Sequence, residues 1–140
     1  MANEINPIVR PEPRRLMPSL ETSKRGMSVQ QSFLEVIAKN IANAETTRLP
    51  EGGAYRREVA SALIDPSTGQ VTAEISADPR PGRAVYDPGH PDANAEGFVE
   101  YPNVNVESEV VDLMVIRRLY EANAAVFQAA KNMLKRALEI

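Results

Sequence analysis

Residues 103–140 read NVNVESEVVDLMVIRRLYEANAAVFQAAKNMLKRALEI, and this stretch decides the fold. Apolar side chains recur in it every seven residues, at Val106, Leu113, Tyr120, Phe127 and Leu134. A second row follows three positions later, at Ile116, Asn123, Ala130 and Ala137. A seven-residue repeat that keeps its phase this long is typical of a coiled-coil helix. With Asn105 as the candidate N-cap, the stretch predicts a long C-terminal helix over residues 103–140.

The positions of the prolines indicate where a second helix can run. None of the 11 prolines lies in residues 19–47 or 103–140, and proline disfavours helix interiors because it lacks an amide donor. In residues 19–47 the apolar positions again recur every seven, at Leu20, Met27, Leu34 and Ile41. We therefore predict an N-terminal helix over residues 19–47, preceded by a flexible extension, residues 1–18. Gly26 allows a bend or a close backbone approach in this helix.

The middle segment, residues 48–102, is rich in proline and glycine. GQVTAEIS alternates apolar and polar residues, and AYRREVASALID can pair with it through the turn DPSTG. DPRPGRAVYDPGHPD contains too much proline and glycine to predict regular structure. The expected fold is mainly α: long N- and C-terminal helices pair as a coiled coil, with a small irregular or β middle segment.

Composition excludes several classes of protein. A formal net charge of −3 and 5% aromatic residues give neither the basic surface nor the stacking residues of a nucleic-acid-binding protein. The chain has no cysteine and therefore no disulfide or zinc–thiolate site. The first residues lack the apolar run of a secretory signal, and no run reaches the length of a membrane span, so we expect no direct membrane insertion.

The two helices carry more apolar surface than one seam between them can bury. Val110, Leu119, Val126 and Met133 extend the apolar surface of the C-terminal helix beyond its repeat. Apolar surface left in water is unfavourable, so another surface should cover it. We favour neighbouring subunits as the cover. The alternative is a soluble helical-hairpin adaptor that binds a single partner and covers these residues with its own middle segment.

The stretch VYDPGHPDANAEGFVEYPNVN holds the only histidine and the best candidates for chemistry, Asp87, His90, Asp92 and Glu96. It loosely resembles a calcium loop, but its twelfth position is Asn103, where that loop needs a bidentate glutamate. His90 has no second histidine or cysteine to share a metal, and no nucleophile motif accompanies it. We therefore expect no catalytic residue, metal or cofactor, and a histidine that orders a turn.

Asparagines near the apolar stripes have two interpretations. Asn40 and Asn43 lie three residues apart in NIANAETT, followed by Thr47, and Asn123 lies on the stripe of the second helix. Asparagine is common where a helix stops. Buried asparagine also fixes register by bonding to a packed partner helix. The residues alone do not decide between these interpretations.

Four motifs together resemble a known family. NIANAETT, TRLPEGGAYRRE, YDPGHPDANAEGFVEYPNVN and RRLYEANAAVFQAAKNMLKRALEI are similar to segments of flagellar basal-body rod and axial proteins, most of all the proximal-rod members. The resemblance implies a non-catalytic structural subunit of the rod, in the periplasmic space. It implies export through the flagellar type III apparatus without a cleaved signal peptide. Its implied partners are copies of itself, other rod proteins and the junction between the basal-body ring and the export gate.

The resemblance and the apolar stripes together define an expected assembly interface. It comprises Leu34, Ile37, Asn40, Ile41, Asn43, Thr47, Tyr101, Asn103, Asn105, Leu113, Ile116, Tyr120, Asn123, Phe127 and Leu134. The sequence departs from the family pattern at two places. Residues 1–18 precede the first helix, and SKRGM stands at 23–27, where the family has a small apolar stretch ending in Ser-Gly-Leu.

Overall fold

The computed structural model describes residues 13–139, which form two long helices and two small antiparallel sheets. The elements in chain order are α1 (Pro13–Ala42), β1 (Glu58–Ile64), β2 (Val71–Ala77), β3 (Arg83–Tyr86), β4 (Phe98–Tyr101) and α2 (Val106–Leu138). β1 pairs with β2, and β3 pairs with β4. The prediction of a mainly α chain with two long terminal helices and a small β middle is confirmed.

Helix α1 begins and ends earlier than the sequence predicts. Its first residue is Pro13, so the segment 13–18, expected to belong to a flexible extension, is helical; residues 1–12 lie outside the described part. Pro13 suits a first helical position, where its missing N–H has no partner to lose. Pro18 removes only one hydrogen bond near that end. At the other end Asn43 Nδ2 donates to the Lys39 carbonyl over 2.9 Å and stops the helix before Thr47.

Helix α2 is capped as its sequence predicts. Asn105 accepts a hydrogen bond from the Ser108 backbone N–H over 2.9 Å, which satisfies one of the free amides of the first turn. Glu107 and Glu109 lie in that turn, and Lys135 and Arg136 lie in the last one, so both ends have charges that suit the helix dipole.

The two helices pack antiparallel. Near one end of the pair Asn40 bonds to Glu109, and farther along Asn123 bonds to Gln30. Gly26 faces Asn123 so closely that a Cβ there would lie 3.1 Å from Asn123 Nδ2. Of the two roles expected for Gly26, the structure therefore shows the close approach.

The buried face of α1 is rotated from the predicted stripe. Val29, Val36 and Ile37 are buried, whereas the seven-residue row at Leu20, Met27, Leu34 and Ile41 is only half-buried. The physical reason is that α1 contacts both α2 and the β1–β2 hairpin, so its centre of burial lies between two neighbours. A periodicity analysis that assumes one partner helix cannot anticipate this rotation.

The β1–β2 hairpin forms as predicted, with Asp65 in its turn accepting bonds from the Ser67 backbone N–H and hydroxyl. The expectation of irregular structure after it is wrong in part. β3 pairs with β4 in the register Ala84↔Glu100 and Tyr86↔Phe98. Pro81 and Pro88 flank β3 and do not interrupt it, so no hydrogen bond of the sheet is lost to a proline.

Candidate assembly surface and the polar joint beneath it

Asn40 lies at the point where α1, β1 and α2 meet. Its Oδ1 accepts hydrogen bonds from Tyr55 Oη over 2.8 Å and from the Glu58 N–H over 2.9 Å. Its Nδ2 donates to the Glu58 carbonyl over 2.8 Å and to Glu109 Oε2 over 3.2 Å. Four bonds use both donors and both acceptors of the amide, and Asn40 is only 1% exposed. Of the two interpretations, the bond to a packed partner applies to Asn40, and the partner belongs to the same chain.

Glu109 is the most unusual residue of this junction, because it is a carboxylate that is 1% exposed. Arg57 Nε donates to Glu109 Oε1 over 2.6 Å, and Arg57 Nη1 lies 3.4 Å from Asp78 Oδ2. Asp78 also receives Arg80 Nη2 over 2.6 Å. We name Asn40, Tyr55, Arg57, Asp78 and Glu109 the polar joint. A buried charge is stable only when it is paired and hydrogen-bonded, and each charged member has such a partner.

The ionisation of the polar joint reflects its surroundings. Burial, followed by the nearby charges of Glu58 and Glu109, raises the pKa of Tyr55 to about 12, so its hydroxyl stays a donor to Asn40. Hydrogen bonds from the Arg80 side chain and backbone hold the pKa of Asp78 well below its usual range. Asp78 is therefore charged at neutral pH, as the two arginines beside it require.

Sequence analysis missed most of this joint. Tyr55 and Arg57 lie in the loop that leads into β1, and Asp78 directly follows β2, with no motif that connects the two places. One signal was available: Glu109 lies seven residues before Ile116 and so occupies the second row of the α2 repeat. A carboxylate at an apolar repeat position predicts a buried charged partner.

The residues that precede α2 connect it to two other parts of the chain, the residues before β1 and those after β2. Asn103 Oδ1 accepts the Arg57 backbone N–H over 2.9 Å, and Asn103 Nδ2 donates to the Arg80 carbonyl over 3.0 Å. Asn105 caps α2, as described above. The ring of Tyr101 lies under the Arg83 guanidinium, 5.2 Å from ring centroid to Cζ.

The loop that holds His90 is tied to the end of α1. Thr47 Oγ1 donates to Asp92 Oδ2 over 2.8 Å, and this bond, together with Arg48, lowers the pKa of Asp92. His90 Nδ1 accepts the Asp92 N–H over 3.0 Å, which confirms a histidine that orders a turn. Between residues 13 and 139 no cluster of three or more His, Asp or Glu side chains is placed to hold a metal ion.

The remaining residues of the predicted assembly interface differ in how deeply they are buried. Asn123 Nδ2 donates to Gln30 Oε1 over 3.1 Å across the seam. Ile37 is buried and Tyr120 is exposed. The other apolar positions are half-buried: Leu34, Ile41, Leu113, Ile116, Phe127 and Leu134. Each of these half-buried side chains keeps part of its surface accessible, and its use in assembly stays a prediction.

A second face of α2 stays open to solvent. It consists of apolar side chains at helical spacing beside the seam, which we name the outer stripe: Val111, Val115, Leu119, Val126 and Met133, all exposed. Val126, for example, is 54% exposed. Val110, expected on this face, is half-buried. The middle segment leaves the outer stripe uncovered, contrary to what the adaptor alternative requires. Within the described residues no helix combines the length and apolar character needed to cross a membrane.

Comparison with known proteins identifies the class of this architecture. Residues 20–48 match the family described as "Flagella basal body rod protein", and residues 95–140 match "Flagellar basal body rod FlgEFG protein C-terminal". The two matches fall on the terminal helices and the segments that adjoin them. The chain belongs to the flagellar basal-body rod protein family.

Within that family the similarity is to FlgC. The chain is 35% identical to the flagellar basal-body rod protein FlgC of Borreliella burgdorferi, over 89% of this chain and 97% of that protein. It is 35% identical to FlgC of Bacillus subtilis over 87% and 95% of the two chains. Identity to FlgC of Salmonella typhimurium is also 35%, over 81% and 89%. The protein is a structural component of the flagellar basal-body rod and not an enzyme.

Proposed function

We propose that this chain is a proximal-rod subunit that assembles with copies of itself and with other rod proteins through the outer stripe of α2. The observation that carries the proposal is that α2 has two apolar faces, of which α1 covers only one. Removing apolar surface from water contributes about 25 cal/mol per Å². A helix face with five exposed apolar side chains therefore favours association.

The rod assembly that we propose requires the outer stripe of one subunit to contact a different surface of the next subunit. Contacts between unlike surfaces propagate into rings or helical filaments. A rod is an assembly of this second kind.

The polar joint supports the mechanical part of the proposal. Arg57 and Asn103 tie the middle segment to α2, and Asn40 ties it to α1. Thr47 and Asp92 add a further link between the end of α1 and the β3–β4 loop. A subunit braced at several points can transmit force between its neighbours without changing shape.

Other parts of the proposal rest on the family resemblance. The helices pair as a coiled coil in the rod, in the periplasmic space. The chain leaves the cell through the flagellar type III export apparatus without signal cleavage, and it contacts the junction between the basal-body ring and the export gate. The uneven burial along both helices suits a chain that unfolds for export and is completed by its neighbours.

Hydrogen exchange of the backbone amides tests the proposal. In a dilute chain we expect the helix amides farthest from the polar joint, at residues 131–138 of α2, to exchange fast, because none of these side chains is buried. In isolated basal bodies the same amides should be protected. Full protection of both helices in a dilute monomer would contradict the proposal.

A further inference from the structure

A concave surface lies on one face of the β3–β4 hairpin, at the end of the molecule where α1 stops. We name it the β3–β4 groove; it is open to solvent and has a volume of about 630 Å³. Its lining has two parts. One part is small or rigid residues with one aromatic ring, namely Gly53, Pro81, Gly82, Ala84, Pro91 and Phe98, and the other is polar or charged residues, namely Thr47, Arg48, Asp92, Asn94 and Glu100. Tyr86 lies beside Phe98, edge to face, with 5.2 Å between ring centroids, and both rings are exposed.

The chemistry of the groove favours an extended, proline-containing segment. Aromatic-lined grooves bind polyproline II segments, which lose little conformational entropy because proline already restricts their backbone. Gly53, Gly82 and Ala84 leave room for pyrrolidine rings, and Arg48 and Glu100 can pair with the charged side chains of a bound segment. A volume of this size is within the range of small binding sites, roughly 300–1,000 Å³.

The chain itself contains such a segment. Residues 5–12 read INPIVRPE, and Pro13 follows as the first residue of α1. Prolines at 7, 11 and 13 restrict the backbone, and Ile5, Ile8 and Val9 are apolar. This is also the segment in which the sequence departs from the family pattern, so its role is not covered by the shared helices.

The length of α1 decides whether residues 5–12 can reach the β3–β4 groove of their own chain. Helix α1 has 30 residues and is about 45 Å long at about 1.5 Å per residue. Thr47 and Asp92 hold the groove at the far end of that helix from Pro13. From Pro13 back to Ile8 an extended chain reaches only about 16 Å at about 3.1 Å per residue. The segment is too short to reach the groove of its own chain.

We propose that residues 5–12 of one copy bind the β3–β4 groove of a second copy, joining the amino end of one helix pair to the middle segment of its neighbour. The contact is independent of the outer stripe and uses a different part of each molecule. It gives the proline-containing amino-terminal segment and the β3–β4 groove a common use.

Crosslinking between single-cysteine chains tests this contact, and the absence of native cysteine removes any background. Chains with Ile8→Cys are mixed with chains with Ala84→Cys, and disulfide-linked heterodimers are followed on non-reducing gels. The matched acceptor is Ala62→Cys, an exposed alanine on β1 outside the groove. We expect the Ala84→Cys acceptor to react at least about tenfold faster, because docking raises the effective concentration. Association through the helices alone gives equal rates, and equal rates would overturn the proposal.

Two further variants sharpen the result. Pro7→Ser together with Pro11→Ser in the Ile8→Cys chain should slow crosslinking to Ala84→Cys severalfold while leaving the rate with Ala62→Cys unchanged; an unchanged ratio would contradict the role of the prolines. A chain that carries both Ile8→Cys and Ala84→Cys should form almost no internal disulfide in dilute solution. Rapid internal closure would show that the segment binds its own chain and would overturn docking between copies.

Discussion

Arg57 Nε donates to Glu109 Oε1 over 2.6 Å, and this ion pair joins the start of β1 to the first turn of α2 across 52 residues of chain. Glu109 is almost fully buried, and Asn40 from α1 donates to its other oxygen. Helix α1, the start of β1 and helix α2 therefore meet at one carboxylate. The pair does more to fix the mutual orientation of the elements than to add stability, since desolvation offsets much of its Coulomb energy.

Glu109→Gln tests that pair. The substitution preserves shape but removes the charge that neutralises Arg57, so we expect the free energy of unfolding to fall by about 2–4 kcal/mol. Denaturant unfolding followed by circular dichroism measures the change. Glu107→Gln, exposed on the same turn, is the matched control and should stay within about 0.5 kcal/mol of the parent. Equal effects of the two substitutions would contradict a special role for Glu109.

Asp78→Asn should make the stability less dependent on acid pH. The folded chain lowers the pKa of Asp78, so its contribution is present above the unfolded pKa of about 3.9 and is lost as the pH falls below that value. The variant should therefore be less stable than the parent at neutral pH, with a difference that narrows near about pH 3. Denaturant midpoints across this range measure it. Asp87→Asn, at an exposed position, is the control and should have the same denaturant midpoints as the parent. A difference in midpoint between Asp78→Asn and the parent that stays constant with pH would refute the interpretation.

Tyr55→Phe tests the other end of the polar joint. Loss of the bond to Asn40 Oδ1 should lower the free energy of unfolding by about 1 kcal/mol, since Asn40 keeps its bond from the Glu58 N–H. Because the folded pKa of Tyr55 is raised to about 12, its contribution is complete below the unfolded value of 10 and is lost as the pH rises from there toward 12. Ultraviolet titration of the tyrosines should show one high-pH step that disappears in Tyr55→Phe but persists in Tyr86→Phe.

Gly26→Val tests the close approach of the helices. A Cβ at this position lies 3.1 Å from Asn123 Nδ2, so a branched side chain must displace the bond between Asn123 and Gln30. We expect a loss of about 1–3 kcal/mol in unfolding free energy. Asn123→Ala in the same chain should recover much of that loss, and a double-mutant cycle measures the coupling. Strict additivity would show that the helices do not meet at Gly26.

The success of the sequence analysis follows the range of the interactions involved. The N-cap at Asn105, the β1–β2 turn and the turn at His90 depend on neighbours a few residues away, and local chemistry predicted all three. The polar joint depends on residues from α1, the middle segment and α2, whose proximity no spacing reveals. The rotated buried face of α1 has the same cause, because the hairpin that packs on it comes from later in the chain.

The positions of the prolines in the sequence did not predict every helix and strand boundary correctly. Pro18 is tolerated near the start of α1, and Pro81 and Pro88 bracket β3, so a map of proline positions placed the helix start too late and missed a strand. What mattered was the position of each proline relative to the hydrogen-bonding pattern, which the tertiary structure decides.

Val126→Glu distinguishes most directly between the packing of α2 on α1 and its proposed contact with neighbouring subunits. In the purified chain the substitution should leave the helical circular dichroism and the denaturant midpoint nearly unchanged, because Val126 is exposed on the outer stripe. In cells that produce only the variant, complete basal bodies and motility should be lost, while Gln128→Glu on the polar face of α2 should retain both. A Val126→Glu chain that unfolds as a monomer, or one that still builds a working rod, would contradict assembly through this face.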